Sequence, residues 1–119
     1  MYRIAASVAG VALFAACGGG DSLPGVEGPT SPRLEVDGGE FYFDPERIAV
    51  AAGDVEVVLR NVGKVVHDIR IEGIPTLLLE AAAGETESTT WTLEEGRYEM
   101  YCSLPGHRAG GMEGIVEVR

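Results

Sequence analysis

The stretch Tyr101-Cys102-Ser103-Leu104-Pro105-Gly106-His107-Arg108-Ala109-Gly110-Gly111-Met112 sets a thiol, an imidazole and a thioether at five-residue intervals in a Gly- and Pro-containing loop. Soft sulfur donors select copper, zinc or iron–sulfur chemistry, and one thiolate with two imidazoles and a weak axial methionine is the donor set of a trigonal blue-copper electron-transfer centre. The chain has two histidines, His67 and His107. If a two-imidazole site exists, these two residues form it.

The pattern Cys-x4-His-x4-Met, with an isolated histidine upstream in Asn61-Val62-Gly63-Lys64-Val65-Val66-His67-Asp68, resembles the plastocyanin-like cupredoxins. The resemblance runs over roughly residues 34–119 and is most specific at the C-terminal loop. It implies an all-β Greek-key β-sandwich of about seven to eight strands around one type 1 copper ion. Cys102, His67 and His107 would be the strong ligands, with Met112 axial. It also implies that the residue after the first histidine ties the ligand loops together, often as Asn; here it is Asp68. A carboxylate accepts hydrogen bonds but cannot donate as an amide does, and its charge favours Cu(II), so the family's reduction potential does not carry over. The alternative for Asp68 is a solvated surface acid. Ser103, beside the thiolate, is expected to aim its backbone N–H at the sulfur.

Strands must position these groups. His67-Asp68-Ile69-Arg70-Ile71-Glu72 alternates, so His67, Ile69 and Ile71 share a face, which the isoleucines assign to the core. Arg97 to Cys102 delivers the thiolate at a strand end; Tyr98 and Met100 share its face, which makes Met100 a core residue. Glu85 to Leu93, joined to it by Glu94-Glu95-Gly96, reads as the other arm of a hairpin with Trp91 as a core anchor. Gly114 to Val118 closes the domain and holds Met112 to the sheet edge. Further strands are expected at Leu34-Glu35-Val36, at Phe41-Tyr42-Phe43 before the proline, at Arg47 to Ala51 and at Asp54 to Arg60. In the last, Val58 breaks the alternation of Val55, Val57 and Leu59, as in an edge or two-sided strand. Gly73 to Gly84 is ambiguous: Leu77 to Ala83 favours helix by propensity, but a helix of two turns is marginal alone, and the resemblance to the cupredoxins implies an extended or irregular connection, with the three leucines expected to be buried.

Outside the domain, Met1-Tyr2-Arg3 carries one positive charge and Ile4 to Ala16 is an apolar run too short to span a bilayer, which is the form of an export signal over residues 1–16. Leu13-Phe14-Ala15-Ala16-Cys17 resembles a bacterial lipoprotein processing box with Cys17 as the lipidated residue, although Phe14 departs from the usual aliphatic; an ordinary cleaved signal is the alternative. Residues 17–32, rich in Gly, Pro and Ser, cannot offset their ordering entropy by burial and read as a tether. As a flexible coil they would hold the domain, residues 33–119, about 20–25 Å from the anchor.

At 119 residues the chain holds one domain, and its formal net charge is −10. Such acidity argues against nucleic acid and favours a basic or neutral protein partner. Multicopper oxidation would need more histidines, a dinuclear electron-entry site a second loop thiolate, and hydrolysis a free base. No enzyme activity is therefore expected. The function expected is one-electron transfer by an exported monomer, lipid-anchored at the outer face of the cytoplasmic membrane or in the periplasm. It would serve a c-type cytochrome or a membrane oxidoreductase or oxidase; the alternative is copper binding and delivery in the exported compartment. Leu104, Pro105, Gly106, Ala109, Gly110 and Gly111 surround His107 with small or apolar groups, so its ring edge is the expected electron exit, with Arg108 the exception.

Overall fold

The computed structural model describes residues 31–119, and the expected signal, Cys17 and residues up to 30 of the tether lie outside them. Ser31 and Pro32, read from sequence as the end of the tether, already bond to the domain: their carbonyls accept from the N–H groups of Ala51 and Glu56.

Nine strands follow: β1 Arg33–Gly39, β2 Tyr42–Asp44, β3 Arg47–Val50, β4 Gly53–Asn61, β5 His67–Ile71, β6 Ile74–Ala81, β7 Thr86–Leu93, β8 Gly96–Tyr101 and β9 Glu113–Val118. They form two sheets, ordered β2-β1-β4-β7 and β3-β9-β8-β5-β6. The neighbours β1 and β4, and β3 and β9, run parallel, and the other pairs are antiparallel, so chain crossovers of the Greek-key kind build the sandwich. The expected all-β sandwich of about seven to eight strands has nine among the described residues, and β6 takes the extended form the resemblance implied where the leucine run competes with helix.

Period-two alternation builds the core. Leu34 and Val36 of β1, Val55, Val57 and Leu59 of β4, Ile69 and Ile71 of β5 and Met100 of β8 are all buried, as are Trp91 and Leu93 of β7. Each such side chain removed from water contributes roughly 1.5–3 kcal/mol, which outweighs the helical propensity of any single segment. β4 is an interior strand between β1 and β7, so of the two readings of Val58 the two-sided strand holds and the edge does not. Two expectations change. β7 and β8 are not a hairpin, since β7 pairs with β4 in one sheet while β8 pairs with β5 and β9 in the other. The Glu94-Glu95-Gly96 link thus arches between sheets, with Tyr98 Oη donating to the Glu94 carbonyl at 2.7 Å. Of the three leucines only Leu79 is buried; Leu78 is exposed on the edge strand β6 and Leu77 half-buried.

Candidate metal centre

One end of the sandwich gathers the start of β5, the end of β8 and the β8–β9 loop. His67 opens β5 facing the core and is fully buried, as the isoleucine alternation requires, and Cys102 follows the last residue of β8 and is buried with a free thiol. The loop then winds back on itself. His107 N–H donates to the Leu104 carbonyl at 3.0 Å, Met112 N–H to the His107 carbonyl at 3.1 Å, and Cys102 N–H to the Met112 carbonyl at 3.1 Å. Gly111 holds φ at +124°, and a side chain there would press on the Phe41 carbonyl, so the position needs glycine. Met112 is fully buried directly after this turn.

The result is convergence of three donors. His67 Nδ1 lies 3.2 Å from His107 Nδ1, which is 3.5 Å from Cys102 Sγ, and the ligand atoms of the three residues all fall within 4.8 Å of one another. Only His107 of the three is not fully buried. Its ring packs against Phe41, with centroids 4.7 Å apart, and Phe41 itself is exposed.

Two carboxylates bear on these groups. Asp68 is buried, so it is not a solvated acid; its Oδ1 accepts from Ser103 N–H at 2.7 Å and its Oδ2 from the Ser103 hydroxyl. The expected Ser103 N–H to sulfur contact is therefore replaced: Ser103 N–H serves Asp68, and the Asp68 N–H points at Cys102 Sγ across 3.5 Å. The geometry has a simple cause, since Asp68 directly follows His67 on β5 and its amide faces the β8 strand end. Burial pushes the Cys102 thiol above its ordinary range, against the N–H groups of Asp68 and Leu104.

The second carboxylate, Glu40 in the β1–β2 turn, is absent from the sequence-derived site. Its Oε1 accepts from Lys64 N–H at 2.6 Å and its Oε2 lies 3.2 Å from His67 Nε2. The Lys64 N–H foremost, and then His67, hold the Glu40 carboxyl below the usual carboxylate range. An ionised carboxylate only accepts, so this contact calls for a proton on His67 Nε2. The only signal available in sequence was an acid between Gly38-Gly39 and Phe41-Tyr42-Phe43, 27 positions from the histidine it serves.

Two imidazole nitrogens and a sulfur aimed at one buried point are a cation site, and the mixed imidazole–thiolate set suits copper. Residues 31–119 match the copper binding proteins of the plastocyanin/azurin family. The chain belongs to this family. Its cofactor is a copper ion.

Solved structures are similar to this chain in fold. A dithionite-reduced auracyanin from Roseiflexus castenholzii is 22% identical, with a TM-score of 0.68, over 76% of this chain and 99% of its own. Auracyanin A from Chloroflexus aurantiacus, described as a "blue" copper protein, is 21% identical with a TM-score of 0.61 over 73% and 98%. A chain of a heme-copper terminal oxidase dimer is 23% identical with a TM-score of 0.57 over 73% and 64%. No curated protein matches the chain.

Proposed function

We propose that this cupredoxin is a one-electron carrier whose copper is held by His67, Cys102 and His107, with Met112 as the axial ligand. The observation that carries the reading is the convergence of Cys102 Sγ and two imidazole Nδ1 atoms in a largely buried pocket. Bound copper supplies a Cu(I)/Cu(II) couple. The chain supplies a preset pocket: β5 fixes His67, β8 fixes Cys102, and the hydrogen-bonded loop fixes His107 and Met112, so little rearrangement accompanies a change of charge. His107, half-buried beside exposed Phe41, is the ligand nearest to solvent and the exit for the electron.

The test is the visible spectrum of protein loaded with one Cu(II), before and after ascorbate. An intense blue band that ascorbate bleaches, and that Cys102→Ser abolishes while the domain stays folded, is the expected result; a band retained in Cys102→Ser refutes the assignment. Met112→Leu should keep the colour and raise the potential, since the axial ligand tunes it.

Export and lipid anchoring at Cys17 rest on the apolar run and processing box alone. Mass spectrometry of native protein should find a diacylated Cys17 as the first residue; an unmodified N-terminus elsewhere would make it a soluble exported carrier. Its partners would then be redox proteins at the membrane, such as a c-type cytochrome or an oxidase.

A further inference from the structure

The geometry points to Glu40 as a positioning residue of the copper centre, one that fixes His67 as the Nε2–H tautomer and shifts the couple toward Cu(II); this rests on the copper ligation proposed above. His67 is fully buried, so its Nε2–H needs a partner, and Glu40 Oε2 at 3.2 Å provides one. The carboxylate is seated from both sides. Its other oxygen takes the Lys64 N–H at 2.6 Å, and a Cβ at Gly63 would overlap Oε2, so glycine at 63 makes room for it. The loop carrying Gly63 and Lys64 is in turn tied down: Asn61 Oδ1 accepts from Gly63 N–H at 2.8 Å, and Val62 N–H donates to the Gly38 carbonyl at 2.9 Å. The β1–β2 turn and the β4–β5 loop therefore lock one carboxylate onto one ring nitrogen.

The consequence follows from charge. An imidazole that donates to a carboxylate becomes a stronger base at its other nitrogen, and a fixed negative charge stabilises a doubly charged ion more than a singly charged one. A neutral acceptor such as a backbone carbonyl would orient the ring without this second effect. Glu40→Gln removes the charge but leaves one acceptor oxygen for the two donors, Lys64 N–H and His67 Nε2–H, that the carboxylate serves, whereas Glu40→Leu removes the charge and both acceptors.

In Glu40→Gln, Cu(II) affinity should fall about tenfold with Cu(I) affinity unchanged, which for one electron corresponds to a potential about 59 mV higher. The blue band should stay in place, since the ligands are untouched. In metal-free protein, ¹⁵N NMR should report the Nε2–H tautomer of His67 in wild type and lose that preference in Glu40→Leu. Equal potentials in wild type and Glu40→Gln overturn the tuning, and an Nδ1–H tautomer in metal-free wild type overturns the positioning. The NMR arm needs no copper. If wild type took up none, the copper assignment would fail while the tautomer still decided the Glu40 contact.

Discussion

Asp68 approaches the ligands from the side opposite in role to Glu40: it makes no contact with an imidazole and instead fastens β5 to the residue after the thiolate. Its carboxylate takes both the N–H and the hydroxyl of Ser103, and its own N–H faces Cys102 Sγ. Hydrogen bonds to a charged acceptor contribute roughly 1.5–3 kcal/mol, and an orphaned donor in a buried site adds to the loss. Asp68→Ala should therefore lower the stability of the metal-free domain by about 2–3 kcal/mol in urea titration, with Asp68→Asn recovering more than half, since its amide oxygen can still serve Ser103 N–H. A wild-type midpoint in Asp68→Ala would show the tie to be dispensable. Asp68 was visible in sequence because it adjoins a histidine, but not which group it would hold. That depended on β8 lying beside β5, and Glu40 was hidden for the same reason: its contact is made only once two distant loops meet.

At the scale of elements, whatever follows from local alternation was legible, and whatever depends on which sheet a strand joins was not. His67, Ile69 and Ile71 faced inward as β5 alternates, and Cys102 fell at a strand end. The β7–β8 link, by contrast, looks like a hairpin turn because Glu94-Glu95-Gly96 permits a tight reversal, yet the same residues arch between sheets where β7 finds β4. For β6, pairing with β5 from His67↔Ala81 to Arg70↔Leu78 supplies the hydrogen bonds that a two-turn helix could not keep. The clamp on the ligand loop was equally invisible. Arg108 reaches Glu72 at 2.7 Å, Glu99 at 3.1 Å and Glu113 at 3.1 Å, and lies over Tyr101 at 4.3 Å, joining the loop to the β5–β6 turn, β8 and β9. These pairs are exposed, so each contributes at most about 1 kcal/mol and less in high salt. Without the arginine, however, three carboxylates face one another. Arg108→Met should cost about 1 kcal/mol and speed amide exchange at Gly110, Gly111 and Met112 as well as copper loss to a chelator. Unchanged exchange at those amides would mean that the loop's own hydrogen bonds suffice.

Across the whole molecule, apolar exposure and charge are arranged unevenly. Among the described residues the exposed large hydrophobics are Phe41, Tyr42, Val62, Val65, Val66 and Leu78. All but Leu78 lie on the β1–β2 and β4–β5 segments, where Phe41 packs on His107 and Val66 precedes His67, so these segments add to the apolar rim expected from the C-terminal loop, whose Leu104 is half-buried against the core. Arg108, which directly follows His107, is engaged by three carboxylates and adds little free positive charge. A chain of net charge −10 with such a rim should draw in a basic redox partner at long range and meet it through the rim at short range. Electron transfer from reduced c-type cytochrome to the Cu(II) protein should accordingly slow as ionic strength rises and the Debye length shrinks from about 30 Å at 0.01 M to about 10 Å at 0.1 M. Val65→Lys should slow it about tenfold at fixed salt, because a charge placed in the contact must be desolvated and also repels a basic partner. A rate that climbs with salt would rule out charge steering, and an unchanged rate in Val65→Lys would place docking away from the rim. Copper leaving to a chelator of moderate affinity within the time of many such turnovers would make this a delivery protein; with His67, Cys102 and Met112 buried and the loop clamped, release should be far slower than transfer.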